Sequence, residues 1–171
     1  MINYDLKKIK AFLFDVDGVL SSSIITLDIN GDPMRTVNLK DGYALQLAQK
    51  KGFEVGIITG GLTDSVRIRY ERLCIRHIYM GSFNKLTDYA HFMKQTGLKD
   101  KEVMYCGDDL PDYRIMQKVG LPVAPADAAP EIKAIAKYIS PFNGGEGVAR
   151  DIIEQTMKIH GLWMDDDAFG W

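Results

Sequence analysis

The sequence predicts an open, Rossmann-like α/β layer, a mostly parallel sheet with helices on both faces. Short apolar runs of strand length alternate with segments whose apolar residues recur at helical spacing. No Pro/Gly/Ser-rich linker, internal repeat or low-complexity stretch divides the 171 residues. A chain of that length reads as one domain, 1–171, large enough to bury a full core.

In chain order, KAFLFDV (10–16) reads as a buried strand closed by Asp15 and Asp17. IITLDINGDPMRTVNL (24–39) breaks the alternation, with strand-like arms on either side of Asn30-Gly31, a strong hairpin signal. Its first arm is apolar on both faces, Ile25, Leu27 and Ile29 on one and Ile24 on the other. An isolated ribbon is marginal in water, so either the parent sheet covers it or copies of the hairpin pack in a symmetric oligomer. Residues 41–51 form a helix with Ala44, Leu47 and Ala48 on one face, and FEVGIIT (53–59) a second strand. Val66, Tyr70 and Leu73 mark a helix over 63–73, before a third strand, HIYMG (77–81). Leu86, Tyr89, Ala90 and Met93 mark another over 85–95, followed by a fourth strand, EVMYCG (102–107). Pro111 opens a helix that Gly120 closes, and LPVAP (121–125) is a short fifth strand. Right-handed crossovers join strands of this kind.

Composition narrows the function classes. With 46% hydrophobic and 26% charged residues and a net charge of −2, the chain has no field to gather nucleic acid or hold an anionic membrane. Cys74 and Cys106 lie far apart, outside any zinc-site or disulfide pattern. The apolar run before Asp15 is too short for a signal peptide or a membrane span. A reduced, cytoplasmic protein is expected.

Open α/β sheets bind ligands beyond the carboxyl ends of their strands. Here strand one ends on Asp15 and Asp17, and strand two on Thr59, followed by Gly60-Gly61 and a helix start. GSFNK places Lys85 at the next helix start, and strand four ends on GDDLPD with Asp108, Asp109 and Asp112. Crowded carboxylates repel unless they share a cation, and a hard ion held by few carboxylates plus a substrate phosphate is the habit of Mg²⁺. Attack on a phosphate monoester needs its charge neutralised. Mg²⁺ shared by Asp15 and Asp108 does so on one side and Lys85 on the other. Thr59 and the N–H groups from Gly60 onward hold the remaining phosphoryl oxygens. Asp15 is then the nucleophile, and Asp17 protonates the leaving oxygen and later activates water. The blander reading of Asp15 and Asp17 is a calcium loop or a strand-end turn.

DVDGVL, ITG, Lys85 and GDDLPD, in that order, resemble the four motifs of the haloacid dehalogenase (HAD) superfamily of phosphohydrolases. The intervals that hold a cap domain in many members carry only the hairpin and ordinary connections, so the chain looks capless. The hairpin, NLKDGYAL, RIRYERL and NGGEGVARDIIEQ resemble the 3-deoxy-D-manno-octulosonate 8-phosphate (KDO 8-phosphate) phosphatase family of lipopolysaccharide sugar biosynthesis. The resemblance implies a homotetramer built through the hairpins, in which a neighbouring subunit completes each site. It also implies an aspartyl-phosphate mechanism, with magnesium held by Asp15, the backbone carbonyl of Asp17, and Asp108, and with Asp112 behind the metal. Many relatives carry a long side chain where this chain has Gly61.

Several residues keep two readings. Asp109 either supports the metal or caps the Pro111 helix. Arg67 and Arg69 either grip the carboxylate of a phosphorylated sugar-acid substrate or, with Arg72, form a solvated basic face. Lys40 and Asp41 either meet substrate hydroxyls or begin a helix. The NGGEG glycines form a lid or a plain loop. The tail 160–171, with Trp163, Phe169 and Trp171, is either loose or docked on another subunit. A nine-carbon 2-keto-3-deoxy sugar acid 9-phosphate is the rival substrate. A phospho-acceptor receiver module, the rival class, is disfavoured because its acceptor aspartate ends the third strand.

Overall fold

The computed structural model describes residues 2–170. Six parallel strands form one sheet in the order β5-β4-β1-β6-β7-β8. They are β1 (Ala11–Phe14), β4 (Glu54–Ile58), β5 (His77–Tyr79), β6 (Val103–Cys106), β7 (Leu121–Ala124) and β8 (Tyr138–Ile139). Each of β1, β6 and β7 is buried on both faces, as a covered parallel sheet requires. Alternation along β1 and β6 divides the core. Phe12, Phe14, Met104 and Cys106 pack toward α1 (Leu39–Lys50), α2 (Asp64–Arg72) and α6 (Val148–Ile159). Ala11, Leu13, Val103 and Tyr105 pack toward α3 (Lys85–Thr96), α4 (Tyr113–Met116) and α5 (Pro130–Ile135). Helices therefore cover both faces, and the expected α/β layer is present. β1 lies between β4 and β6, so three carboxyl-terminal strand ends open beside one another, where ligands of such sheets bind.

The hairpin is present but shorter than the 24–39 expected: β2 (Thr26–Leu27) and β3 (Pro33–Met34) pair antiparallel. Asp28 and Asp32 close the loop through a backbone bond of 2.9 Å, leaving Ile29, Asn30 and Gly31 at its tip. Gly31 alone there has positive φ, 85°, so Asn30-Gly31 belongs to a three-residue loop and not to a two-residue turn. Asn38 caps α1 by accepting from Lys40 and Asp41 N–H, which starts that helix two residues earlier than the apolar spacing indicated. The expected Pro111 helix is a 3₁₀ turn, Leu110–Asp112, running into α4, and the edge strand β8, only two residues long, was too short to read as a strand from the sequence.

The described part of the tail docks on its own chain, which is neither the loose end nor the docking on another subunit that the sequence left open. Arg150 stacks over the Trp163 ring at 4.5 Å, Tyr43 donates to the Ala168 carbonyl, and Lys51 pairs with Asp165. Trp171 lies outside the described residues. The NGGEG loop packs on the turn after β1. A Cβ on Gly144 would lie 2.1 Å from the Gly18 carbonyl, and Gly145 N–H donates to Val19 at 2.8 Å. Among the described residues, no helix is long and apolar enough to cross a membrane.

Candidate active site

Beyond β1 the chain folds into a tight turn in which the Val16 carbonyl accepts from Val19, Leu20 and Ser21 N–H at 2.9–3.2 Å. Asp15 N–H still bonds Cys106 at 3.1 Å, so the nucleophile candidate is anchored to the sheet itself. Gly18 has φ +83°, and a Cβ there would lie 2.0 Å from Asp108 Oδ2. Only glycine lets the β1 turn and the β6 turn approach this closely.

Lys85, at the first position of α3, is buried between two carboxylates. Its Nζ lies 2.6 Å from Asp15 Oδ2 and 2.7 Å from Asp112 Oδ1. Asp112 is wholly buried and also accepts from Tyr105 Oη at 2.6 Å and Asp108 N–H at 3.1 Å. Tyr105 was not singled out in the sequence because it reads as one more apolar strand residue. Its hydroxyl fixes the carboxylate that fixes the lysine. One oxygen each of Asp15, Asp108 and Asp112 lies within 4.8 Å of the others.

Three carboxylates against one ammonium leave the cluster short of positive charge. Burial first, then Asp112, pushes Asp15 up to about 7 against the pull of Lys85. Burial, Asp15 and Asp112 push Asp108 up to about 7 as well. Burial alone would lower Lys85, but Asp15 and Asp112 outweigh it and hold the ammonium above its ordinary value. A divalent cation fits such an all-oxygen set, with Asp15 and Asp108 as candidate ligands and Asp112 supporting them. The Asp109 carboxylate stands outside the cluster, exposed, its N–H 3.5 Å from Asp112 Oδ2.

Thr59 is buried beyond β4, and its Oγ1 accepts from Gly61 N–H at 3.1 Å, which leaves the hydroxyl proton for an incoming oxygen. Gly60, Gly61 and Thr63 line a cleft of about 850 Å³ between the hairpin and the start of α2. Arg35, which the sequence reading passed over, also lines it. Its Nε and Nη2 bind the two Asp17 oxygens at 2.6 and 2.8 Å, and its Nη1 donates to Thr63 Oγ1. The Asp17 side chain is thereby held away from the other carboxylates, so any metal contact from Asp17 falls to its backbone. A Cβ on Gly61 would lie 2.9 Å from Arg35 Nη2, so the missing side chain there makes room for the guanidinium.

Four expected substrate contacts separate in the structure. Arg67 is exposed and pairs loosely with Glu71 at 3.8 Å, off the Val66/Tyr70 face. Arg69, three residues after Val66, instead lies half-buried over Gly42 and lines a small cavity with Arg35. Lys40 is exposed on a different cavity, beside Phe142 and Glu146. Asp41 turns inward to the start of α6, where its Oδ1 accepts from Arg150 N–H at 2.6 Å; it caps a helix and does not face the site.

The sequence profile of the haloacid dehalogenase-like hydrolases matches residues 66–152. The chain is 37% identical over 155 residues to 3-deoxy-D-manno-octulosonate 8-phosphate phosphatase KdsC of Escherichia coli K12, covering 91% of this chain and 82% of that protein. The crystal structure of the phosphatase of that name from Yersinia pestis superposes with a TM-score of 0.88 at 32% identity, covering 92% of this chain and 85% of that one. The phosphatase of that name from Moraxella catarrhalis, in complex with a magnesium ion, a phosphate ion and a KDO molecule, gives 0.85 at 32% identity, covering 90% and 88%.

Proposed function

The chain belongs to the haloacid dehalogenase-like hydrolases, in the KDO 8-phosphate phosphatase family, and from that premise we propose that it hydrolyses KDO 8-phosphate to KDO and phosphate with magnesium. The observation that carries this reading is Lys85 wedged between Asp15 and Asp112 beside Asp108, a site that joins a nucleophile, a cation and a metal-ready carboxylate set.

Asp15 attacks phosphorus, the ester P–O bond breaks, and Asp17 supplies the proton that the leaving sugar oxygen needs. Water then attacks the aspartyl phosphate, gives its proton to Asp17, and returns Asp15 as a carboxylate with release of phosphate. Two of the three Lys85 protons are committed to Asp15 and Asp112, and the third is directed to a phosphoryl oxygen. Thr59 Oγ and the N–H groups from Gly60 onward take the other oxygens. Magnesium held by Asp15, the Asp17 carbonyl and Asp108 supplies the counter-charge that lets an anion attack an anion.

The wider proposal is a single cytoplasmic domain, 1–171, that works as a homotetramer. Exposed apolar residues of the hairpin, with Ile24 before β2 88% and Ile29 at the tip 100% accessible, support hairpin-to-hairpin packing, and a neighbour then completes the open cleft. The test is turnover of a panel of phosphorylated sugar acids with magnesium. The eight-carbon 8-phosphate is expected to give the highest kcat/KM. A preference for the nine-carbon 9-phosphate, or no turnover of either, would overturn the assignment.

A further inference from the structure

The hairpin and the proton-handling aspartate are tied together by one side chain. Arg35 directly follows β3, and its side chain is only 9% exposed. The fork it makes on Asp17, at 2.6 and 2.8 Å, takes one N–H from Nε and one from Nη2, and the Nη1 bond to Thr63 fixes the guanidinium plane against α2. Thr63 is the N-cap residue of α2, yet its side chain makes no capping bond, so its hydroxyl serves the arginine and not the helix. Gly61 gives up the volume the guanidinium fills. Hairpin, catalytic turn and α2 start thus meet on a single planar group, and bidentate guanidinium pairing sets direction as well as distance.

We propose that Arg35 is a positioning residue for proton transfer: its fork sets where the Asp17 carboxylate stands, one of the two bonds giving way when that oxygen carries the proton, and through it the seating of the hairpin controls whether Asp17 reaches the leaving oxygen. This rests on the reading that Asp17 moves the protons, and goes beyond it by giving the hairpin a part in the chemistry. An alkoxide leaving from a sugar needs that proton, whereas p-nitrophenolate leaves without it. Loss of Arg35 should therefore injure the two esters unequally, which a loss of phosphate binding or of fold would not do.

The experiment is rapid-quench measurement of the first step, release of the alcohol or phenol in a single turnover with magnesium. It compares wild type, Arg35→Ala, Arg35→Lys and Asp17→Asn on an eight-carbon sugar-acid 8-phosphate and on p-nitrophenyl phosphate. Asp17→Asn should show the leaving-group split in full. Arg35→Ala should lower the sugar-ester rate about 10- to 100-fold relative to the aryl-ester rate, and Arg35→Lys, one cation without the fork, should fall between it and wild type. Equal losses on both esters, or a sugar-ester rate unchanged in Arg35→Ala while Asp17→Asn shows the split, would overturn the role of Arg35 alone. Absence of the split in Asp17→Asn would overturn the reading of Asp17 beneath it, and this inference with it.

Discussion

Asp41→Asn should stabilise the protein at neutral pH. The carboxyl is 2% exposed, and its Oδ2 has no hydrogen-bond partner among the described residues. Burial lifts it to about 6, against the lowering effect of the Arg150 N–H and the Arg150 charge. In the unfolded chain it titrates at about 3.9, so the ionised group costs ~3 kcal/mol of stability at pH 7. The sign follows from the folded value lying above the unfolded one: the contribution is whole below about pH 3.9 and is lost as pH rises through about 6. Asparagine keeps an acceptor for Arg150 N–H and carries no charge, but brings a buried amide donor that costs ~1–2 kcal/mol. A net gain of ~1–2 kcal/mol at pH 7.5, fading or reversing at pH 4.5, is expected from urea unfolding of both proteins at the two pH values. Parallel pH dependences, or a variant less stable at pH 7.5, would refute the argument that this carboxylate is buried against its own charge.

Other outcomes follow from the same geometry. Gly18→Ala must move Asp108 and adopt a φ of +83°, so it should lose about 100-fold or more in kcat, along with the magnesium-induced rise in Tm. Tyr105→Phe removes one bond from Asp112 and leaves those from Lys85 and Asp108, so thermal unfolding should show a loss of ~1–2 kcal/mol with the magnesium requirement intact. Replacing Ile24, Leu27 and Ile29 with Ser should reduce the mass measured by light scattering to that of a smaller oligomer, and an unchanged tetramer would place the interface elsewhere.

Strand ends were legible because their polar residues interrupt apolar runs: Asp15, Thr59 and Asp108 follow β1, β4 and β6 as the pattern implied. Residues set by helix phase were harder. Asp41 shares the buried stripe of Ala44, Leu45 and Ala48, at i, i+3, i+4 and i+7, and so turns inward, while Lys40, one residue earlier, turns out. The sequence showed Ala44, Leu47 and Ala48 on one face, but a charged residue at the head of the helix reads as polar until the start of α6 is seen beside it. Arg35 and Tyr105 gave no local signal: Arg35 acts on Asp17 across the whole hairpin, and Tyr105 reaches Asp112 only because the turn after β6 folds back over the strand end. The tail reads as aromatic and acidic, but which surface its aromatics cover depends on Arg150 and Tyr43 lying together on α6 and α1.

The most direct measurement of the whole account is acid quench of the enzyme during turnover of the sugar-acid phosphate with magnesium, followed by peptide mass spectrometry. Phosphate is expected on Asp15, at an amount that falls to nothing in Asp15→Asn together with turnover. Phosphate on another residue, or sustained turnover by Asp15→Asn, would contradict it.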